Sequence, residues 1–240
     1  YIMDSNGGAA QRLTTNSAAE QPETFTPDGK YVVYSASIQL PASSIQFPGR
    51  PQSQLYKVPV KGGRATQILG VSAVNVQYIP GQDAFVYEDI KGFEDQWRKH
   101  HTSSVTRDIW RYDAKTGAYT NITSRFGEDR DPAVSTDGST MYFLSERDGG
   151  SMNVFSMKLD APGKLTQVTD FNTHPVRFLS IGADGTLAFT YNGEIYTKKG
   201  NAAPEKVNID IITDDEPSLL TLNASRATGG AAVSPDGKQV

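Results

Sequence analysis

The chain repeats one short phrase at nearly regular spacing. Phe25-Thr26-Pro27-Asp28-Gly29 returns as Val134-Ser135-Thr136-Asp137-Gly138, Ile181-Gly182-Ala183-Asp184-Gly185 and Val233-Ser234-Pro235-Asp236-Gly237, with a weaker copy at Tyr78-Ile79-Pro80-Gly81. Aligned on Pro27, successive copies begin 53, 56, 47 and 52 residues apart. A period of roughly 40–50 residues in strand-rich segments is the sequence signature of a β-propeller.

Each copy of the phrase predicts two strands around a tight turn. Asp-Gly between β-branched and aromatic runs favours a hairpin in which the glycine has a positive φ. A second strand pair follows each hairpin, as in Gln54-Leu55-Tyr56-Lys57-Val58 and Ala65-Thr66-Gln67-Ile68-Leu69. Four antiparallel strands form one propeller blade, so the predicted fold is an all-β propeller of four-stranded antiparallel blades.

The repeat also predicts where the blades begin and end. We expect one propeller domain over residues 1–240, with full blades at about 20–70, 75–123, 128–170 and 174–209, and partial blades at 1–16 and 230–240. The partial blades predict a piece of a six- or seven-bladed propeller, and their pairing into a five-bladed ring is the alternative. Helix is expected only in insertions, chiefly 90–106.

The long connections are predicted to share one face of the propeller. In an antiparallel meander, the turns after the second and fourth strands of each blade lie at the same end. The segments 38–53, 90–106 and 210–229 all fall at that end. Because long loops on a rigid scaffold often carry binding residues, we expect function on this face.

Composition excludes several classes of function. A net charge of -4 argues against a nucleic-acid partner, and no apolar run is long enough to span a bilayer. The absence of cysteine excludes disulfides and thiolate metal sites, and it fits cytoplasm and periplasm equally.

No nucleophile-elbow, zinc-protease or phosphate-loop motif is present, so the chain alone is predicted to be non-catalytic and to need no cofactor.

The segment 91–108 is the least repeat-like part of the chain and supplies most candidate binding residues. Trp97 could anchor a ligand, beside a cationic cluster. The candidates are Trp97, Arg98, Lys99, His100, His101, Arg107 and Arg130. The alternative is that the insertion only packs on its own blade. Neighbouring residues of a strand point to opposite sides, so His100 and His101 cannot face one metal ion from a strand, and no metal site is predicted.

Charged segments precede the predicted innermost strands. They are Glu20-Gln21-Pro22-Glu23, Glu128-Asp129-Arg130-Asp131-Pro132 and Thr173-His174-Pro175-Val176-Arg177. Innermost strands begin at the central channel of a propeller, so these side chains could rim its mouth. The alternative is that they pair with one another between blades.

Two parts of the sequence resemble known families. The Ser-Pro-Asp-Gly-Lys type of blade resembles the propellers of TolB and of tricorn-type proteases. The run Trp97-Arg98-Lys99-His100-His101-Thr102-Ser103-Ser104-Val105-Thr106-Arg107-Asp108-Ile109-Trp110, followed by Gly127-Glu128-Asp129-Arg130-Asp131-Pro132, resembles the tricorn-type serine peptidases more specifically.

The tricorn-type resemblance implies a non-catalytic propeller that gates or binds peptide for a catalytic domain outside this chain. No catalytic residue can be carried over, because that part of the family pattern is absent here. Its partners would be a peptide or other domains of the same polypeptide, and an oligomer remains open. The alternative is a TolB-like interaction propeller of a cell-envelope complex, and periplasm or envelope is favoured over cytoplasm.

Overall fold

The computed structural model describes residues 1–38, 52–93, 95, 97–147, 150–212 and 234. The chain forms two compact units, Tyr1–Val207 and Asn208–Val240. The described residues contain fifteen strands and no α-helix, and every one of these strands lies in the first unit. All but Ser234 of the predicted partial blade 230–240, and most of the segments 38–53 and 210–229, lie outside the described residues.

Seven strands form the first sheet, and every neighbouring pair in it is antiparallel. Its order follows the chain: β1 (Glu20–Phe25), β2 (Tyr31–Ala36), β3 (Gln54–Pro59), β4 (Thr66–Tyr78), β5 (Ala84–Asp89), β6 (Ile109–Asp113) and β7 (Ala118–Asn121). This sheet contains the first two blades, which share β4.

The shared strand β4 runs through the predicted connection at 71–74 without a break. Its first residues pair with β3, where Gln67 lies opposite Tyr56. From Ala73, which lies opposite Asp89, it pairs with β5 instead. One strand is therefore the outermost of the first blade and the innermost of the second.

Two four-stranded sheets form the third and fourth blades. The third contains β8 (Asp129–Val134), β9 (Thr140–Ser145), β10 (Asn153–Lys158) and β11 (Leu165–Gln167). The fourth contains β12 (Val176–Ile181), β13 (Leu187–Tyr191), β14 (Glu194–Lys198) and β15 (Glu205–Lys206). The predicted all-β fold of four-stranded antiparallel blades is confirmed.

The hydrophobic core lies between successive blades. Alternate residues of each strand point to opposite faces, so apolar positions of one blade meet those of the next. One cluster packs the first blade on the second, with Val33, Leu55, Val76, Phe85 and Tyr87. Another joins the second and third blades, with Val86, Ile109, Met141, Phe143 and Phe155. A further cluster joins the third and fourth, with Leu144, Val154, Val176 and Phe189.

The N-terminal segment packs on the face of the first blade that is turned away from the second blade. Its two predicted strands form only a single antiparallel bridge between Ile2 and Gln11. Leu13 is buried with Tyr34, Tyr56 and Val58 on that face.

The Asp-Gly turns adopt the predicted conformation. Gly29, Gly138 and Gly185 have φ of 66°, 69° and 80°, in the left-handed region that disfavours a β-carbon. The aspartate before each glycine accepts the backbone N–H two residues on, as in the bond of 3.0 Å from Ser139 to Asp137. The prediction of positive φ at these three glycines is confirmed.

Gly138→Ala should destabilise the chain more than Gly185→Ala. A β-carbon at Gly138 would lie 2.7 Å from the carbonyl oxygen of Pro80 in the neighbouring blade. A β-carbon at Gly185 would have no other atom within 4 Å. The left-handed backbone alone costs about 1–2 kcal/mol for a residue with a β-carbon. Urea denaturation should show this loss for Gly185→Ala and a larger one for Gly138→Ala. Equal losses would show that the turn does not press on the adjacent blade.

The insertion between β5 and β6 forms turns where helix was expected. The N–H of Trp97 donates to the Asp95 carboxylate at 2.9 Å, and the N–H of Arg98 donates to the Asp95 carbonyl at 3.1 Å. His100 has a φ of 52°, which no right-handed helix contains. The expectation of helix in 90–106 is therefore wrong for the described residues of that segment.

Candidate functional site

A cavity of about 700 Å³ lies where the innermost strands of the blades begin. Its walls come from β1, β4, β8 and β12 and from the insertion between β5 and β6. The lining combines apolar groups, among them Trp97 and Phe178, with the guanidinium groups of Arg107, Arg130 and Arg177. This cavity is the candidate functional site.

Each innermost strand bends at the cavity through an irregularity in its pairing. The register shifts between Pro22 and Thr24, Val74 and Gln77, Arg130 and Ala133, and Arg177 and Ser180. At three of these bulges, Asn75, Asp131 and Phe178 have φ of 53°, 49° and 56°. A bulge adds one residue to a strand and changes the direction of the side chain at that residue. The bulge residues of successive blades therefore lie together at the cavity.

Acidic side chains at the bulges connect adjacent blades. The Glu88 carboxylate accepts the N–H of Asp131 at 2.6 Å, and the Asp131 carboxylate accepts the N–H of Phe178 at 3.0 Å. Glu23 accepts backbone N–H groups of Asn75 and Val76 in the same way. The bulges leave these donors without ladder partners, and the carboxyl groups satisfy them. Glu23 and Asp131 therefore form bonds between blades, but their partners are backbone N–H groups outside the three charged segments, so these bonds do not pair the segments with one another.

Glu88 is the centre of the ionic network beneath the cavity. It is fully buried and accepts hydrogen bonds from Arg107 at 2.8 Å and from Asn75 at 2.5 Å. The Arg130 guanidinium lies 3.9 Å away. Burial raises the pKa of Glu88, but Arg107 and Arg130 outweigh it and hold that pKa below its ordinary value. Glu88 is therefore ionised at neutral pH.

Asp131 has the opposite shift. Burial, followed by repulsion from the Glu88 carboxylate, raises the pKa of Asp131 to about 7. Two carboxyl groups in one site cannot both ionise easily, so the site holds a proton mainly on Asp131. The two groups differ because Arg107 and Arg130 together outweigh burial at Glu88, whereas burial and the Glu88 charge outweigh Arg130 at Asp131.

The insertion extends from the second blade across the third to the fourth. Lys91 fixes its start, with bonds of 2.7 Å to the Asp108 carboxylate and 2.8 Å to the Thr106 carbonyl. Lys99 donates to the carbonyl of Thr173, just before the fourth blade, at 3.1 Å. These bonds hold the insertion so that Trp97 lines the cavity.

Trp97 forms an aromatic pair with Phe178 of the fourth blade. The ring centroids lie 5.8 Å apart with the planes at 67°, an edge-to-face arrangement. Arg177 lies over the Trp97 ring at 4.8 Å and donates to the Trp97 carbonyl at 3.1 Å. Trp97 and Phe178 remain 52% and 59% exposed, so a ligand in the cavity could cover them further.

The predicted site residues fall into three places. Trp97, Arg107 and Arg130 line the cavity. Arg98, Lys99 and His100 are exposed on the insertion and do not line it. His101 is buried at 2% exposure, beneath the insertion.

His101 has serine and carboxylate neighbours that resemble a catalytic arrangement. Its Nε2 lies 2.8 Å from the Ser103 hydroxyl, and its Nδ1 lies 3.3 Å from the Glu128 carboxylate. The Ser103 oxygen accepts the N–H of Val105 in a local turn. None of these residues lines the cavity, so the group contacts no space for a substrate there. We interpret it as a contact that fixes the insertion to the third blade.

The sequence reasoning missed Glu88 and Phe178. Glu88 is the next-to-last residue of β5, and nothing in a strand pattern shows that two arginines from other segments surround it. Phe178 could have been found by aligning the repeats. Asn75, Asp131 and Phe178 each lie five residues before the turn positions Pro80, Thr136 and Ala183.

Comparison with known families agrees with this architecture. Residues 1–203 match the family of the tricorn protease N-terminal β-propeller domain. The chain therefore belongs to this family, and the predicted resemblance is confirmed.

Individual relatives share either sequence or fold with the chain. YuxL of Bacillus subtilis (strain 168), described as an uncharacterized peptidase, is 31% identical over 100 residues, or 42% of this chain and 14% of YuxL. Tricorn protease has a TM-score of 0.64 and 22% identity over 82% of this chain and 18% of its own. TolB from Acinetobacter baumannii has a TM-score of 0.57 and 16% identity over 79% of this chain and 43% of its own.

The chain thus spans less than a fifth of the length of either YuxL or tricorn protease. Among the described residues, none belongs to a helix long and apolar enough to cross a membrane.

Proposed function

We propose that this chain is a non-catalytic propeller that binds and admits peptide for a serine peptidase domain outside residues 1–240. The observation that carries the proposal is the convergence of Trp97, Arg107, Arg130 and Arg177 on one cavity at the ends of the innermost strands. Membership of the tricorn protease N-terminal propeller family supports it.

The charges of the cavity favour a ligand that carries a carboxylate. Burial, and then repulsion from Arg130, lowers the pKa of Arg177. A carboxylate between these two guanidinium groups would relieve that repulsion and accept charge-assisted hydrogen bonds. The C-terminus of a peptide is such a group.

The apolar part of the cavity favours a peptide over a free anion. Trp97 is half exposed although it packs against Phe178, so bound ligand could bury more of the ring. Buried tryptophan and arginine side chains dominate the binding energy of many peptide and protein interfaces. A peptide places an apolar side chain and a terminal carboxylate within one residue of each other.

Replacing Trp97 by alanine should weaken peptide binding, whereas replacing its neighbour Arg98 should not. Trp97 lines the cavity and Arg98 does not. Calorimetry with a pentapeptide that has a free C-terminus should show about a tenfold loss for Trp97→Ala, equivalent to about 1.4 kcal/mol. Arg98→Ala should stay within about twofold of the parent protein.

Thermal melting separates binding from folding in this experiment. Both residues are exposed, so each variant should keep the parental melting temperature to within a few degrees. Equal affinities in the two variants, or no peptide binding by the parent chain, would remove the basis of the proposal.

A TolB-like interaction propeller of a cell-envelope complex is the second candidate. The observation that favours it is the shared fold with TolB, at a TM-score of 0.57. On this second proposal the chain would act in the periplasm and would bind a folded protein partner in place of a short peptide. Pentapeptide binding that depends on Trp97 distinguishes the first candidate from the second.

A further inference from the structure

Phe178 departs from the pattern of the other blades. The equivalent bulge positions of the second and third blades are Asn75 and Asp131, whose polar side chains form bonds between blades, Asn75 to Asp131 at 3.3 Å and Asp131 to the N–H of Phe178 at 3.0 Å. A phenylalanine ring cannot accept or donate such bonds. The side chain at this position of the fourth blade therefore forms no polar bond to a neighbouring blade, and an aromatic ring lines the cavity instead.

The backbone of Phe178 is held in an unfavourable conformation. A φ of 56° is common for glycine and tolerated by asparagine and aspartate, but it is an outlier for a bulky residue. The bond from its N–H to Asp131, at 3.0 Å, holds the bulge in place. Burial of the ring does not compensate for the strain, because Phe178 is 59% exposed. Strained residues that surrounding structure holds in place cluster at ligand sites.

The surroundings of Phe178 define what could cover it. The Phe178 and Trp97 rings meet edge-to-face, and the pair forms an apolar wall of the cavity. Arg177, the preceding residue, places its guanidinium over Trp97 at 4.8 Å. An apolar surface next to a cation is complementary to a bulky side chain next to a carboxylate.

We propose that Trp97 and Phe178 form a subsite that selects peptides with a bulky apolar or aromatic side chain beside an anionic group facing Arg177. The inference rests on the proposed function and deepens it by naming the class of peptide. Aromatic rings prefer edge-to-face or offset contacts, and the exposed faces of this pair offer both.

Phe178→Asn is the sharpest test of the subsite. Asparagine tolerates positive φ, as Asn75 shows at φ 53°, so the variant removes the ring and keeps the bulge. Phe126→Asn is the matched control, because Phe126 is 79% exposed and does not line the cavity. The probes are the peptides Gly-Gly-Gly-Phe and Gly-Gly-Gly-Ala, each with a free carboxylate, titrated by calorimetry.

The parent chain and Phe126→Asn should bind the phenylalanine peptide about tenfold more tightly than the alanine peptide, the factor expected for covering one aromatic ring. In Phe178→Asn this preference should fall to about twofold, with the affinity for the alanine peptide unchanged. Binding of both peptides without preference by the parent chain, or a preference that survives in Phe178→Asn, overturns the subsite and leaves the proposed function intact. Failure of the parent chain to bind either peptide overturns both.

Discussion

Replacing Glu88 by glutamine should lower the free energy of unfolding by about 3–5 kcal/mol, the cost of removing one partner from a buried ion pair. Glutamine has nearly the same shape but no charge. Arg107 and Arg130, both partly or fully buried, would lose the carboxylate that offsets their desolvation. The bulge N–H of Asp131 would also lose a charged acceptor. We expect the loss to appear in urea denaturation monitored by circular dichroism.

Glu194→Gln is the matched control for Glu88→Gln. Glu194 pairs with Lys206 at 2.8 Å, but both side chains are about half exposed. Exposed pairs contribute little to stability, so this variant should differ little from the parent chain. Similar losses in the two variants would contradict a stabilising role for the Glu88 network.

Asp131→Asn should remove a large part of the dependence of stability on pH between pH 5 and 8. Burial and the Glu88 carboxylate raise the pKa of Asp131 to about 7, from an ordinary value of 3.8. Between these values the native chain binds a proton that the unfolded chain has released. Stability from this group is therefore complete at low pH and is lost as pH rises through the native pKa.

The expected size of the effect follows from the linkage relation. Each pKa unit corresponds to about 1.4 kcal/mol, and the slope halves at the native pKa, so wild-type stability should fall by about 2 kcal/mol from pH 5 to pH 7 through Asp131. Asparagine resembles the protonated acid. It retains an oxygen for the N–H of Phe178, and it tolerates the φ of 49° at this position. The variant should be as stable as the parent chain near pH 5 and more stable at pH 8.

Asp28→Asn provides the control for this pH profile. Asp28 is an exposed turn residue whose pKa is lowered by hydrogen bonds from Thr26 and Lys30, so it does not titrate in this range. Its stability curve should run parallel to that of the parent chain from pH 5 to pH 8. An Asp131→Asn curve that also runs parallel would mean that Asp131 is already ionised at pH 5.

The blades could be predicted from the sequence because a turn and the strands beside it depend on only a few neighbouring residues. Asp-Gly fixes a turn through the positive φ of the glycine, and the flanking apolar alternation fixes which face of each strand is buried. Gly29, Gly138 and Gly185 illustrate this directly. The continuity of β4 could not be read in the same way, since Gly70 and Ser72 are typical of a connection although the structure includes them in a strand.

The candidate site was predicted only in part because its geometry depends on contacts between blades. Trp97 was found because it lies in an insertion that breaks the repeat. His101 was grouped with it by proximity in sequence, yet the fold buries that ring against Glu128. Phe178 belongs to an ordinary strand in the sequence, and only the bulge in β12 exposes it to the cavity.

Photo-crosslinking can show directly whether a peptide binds at this cavity. A Gly-Gly-Gly peptide that ends in benzoylphenylalanine with a free carboxylate would be irradiated with the chain, and the attachment site would be mapped by mass spectrometry. We expect attachment within residues 97–99 and 177–179, suppressed by an excess of Gly-Gly-Gly-Phe. Attachment confined to the outer strands β7, β11 or β15, or no attachment that the competing peptide suppresses, would contradict it.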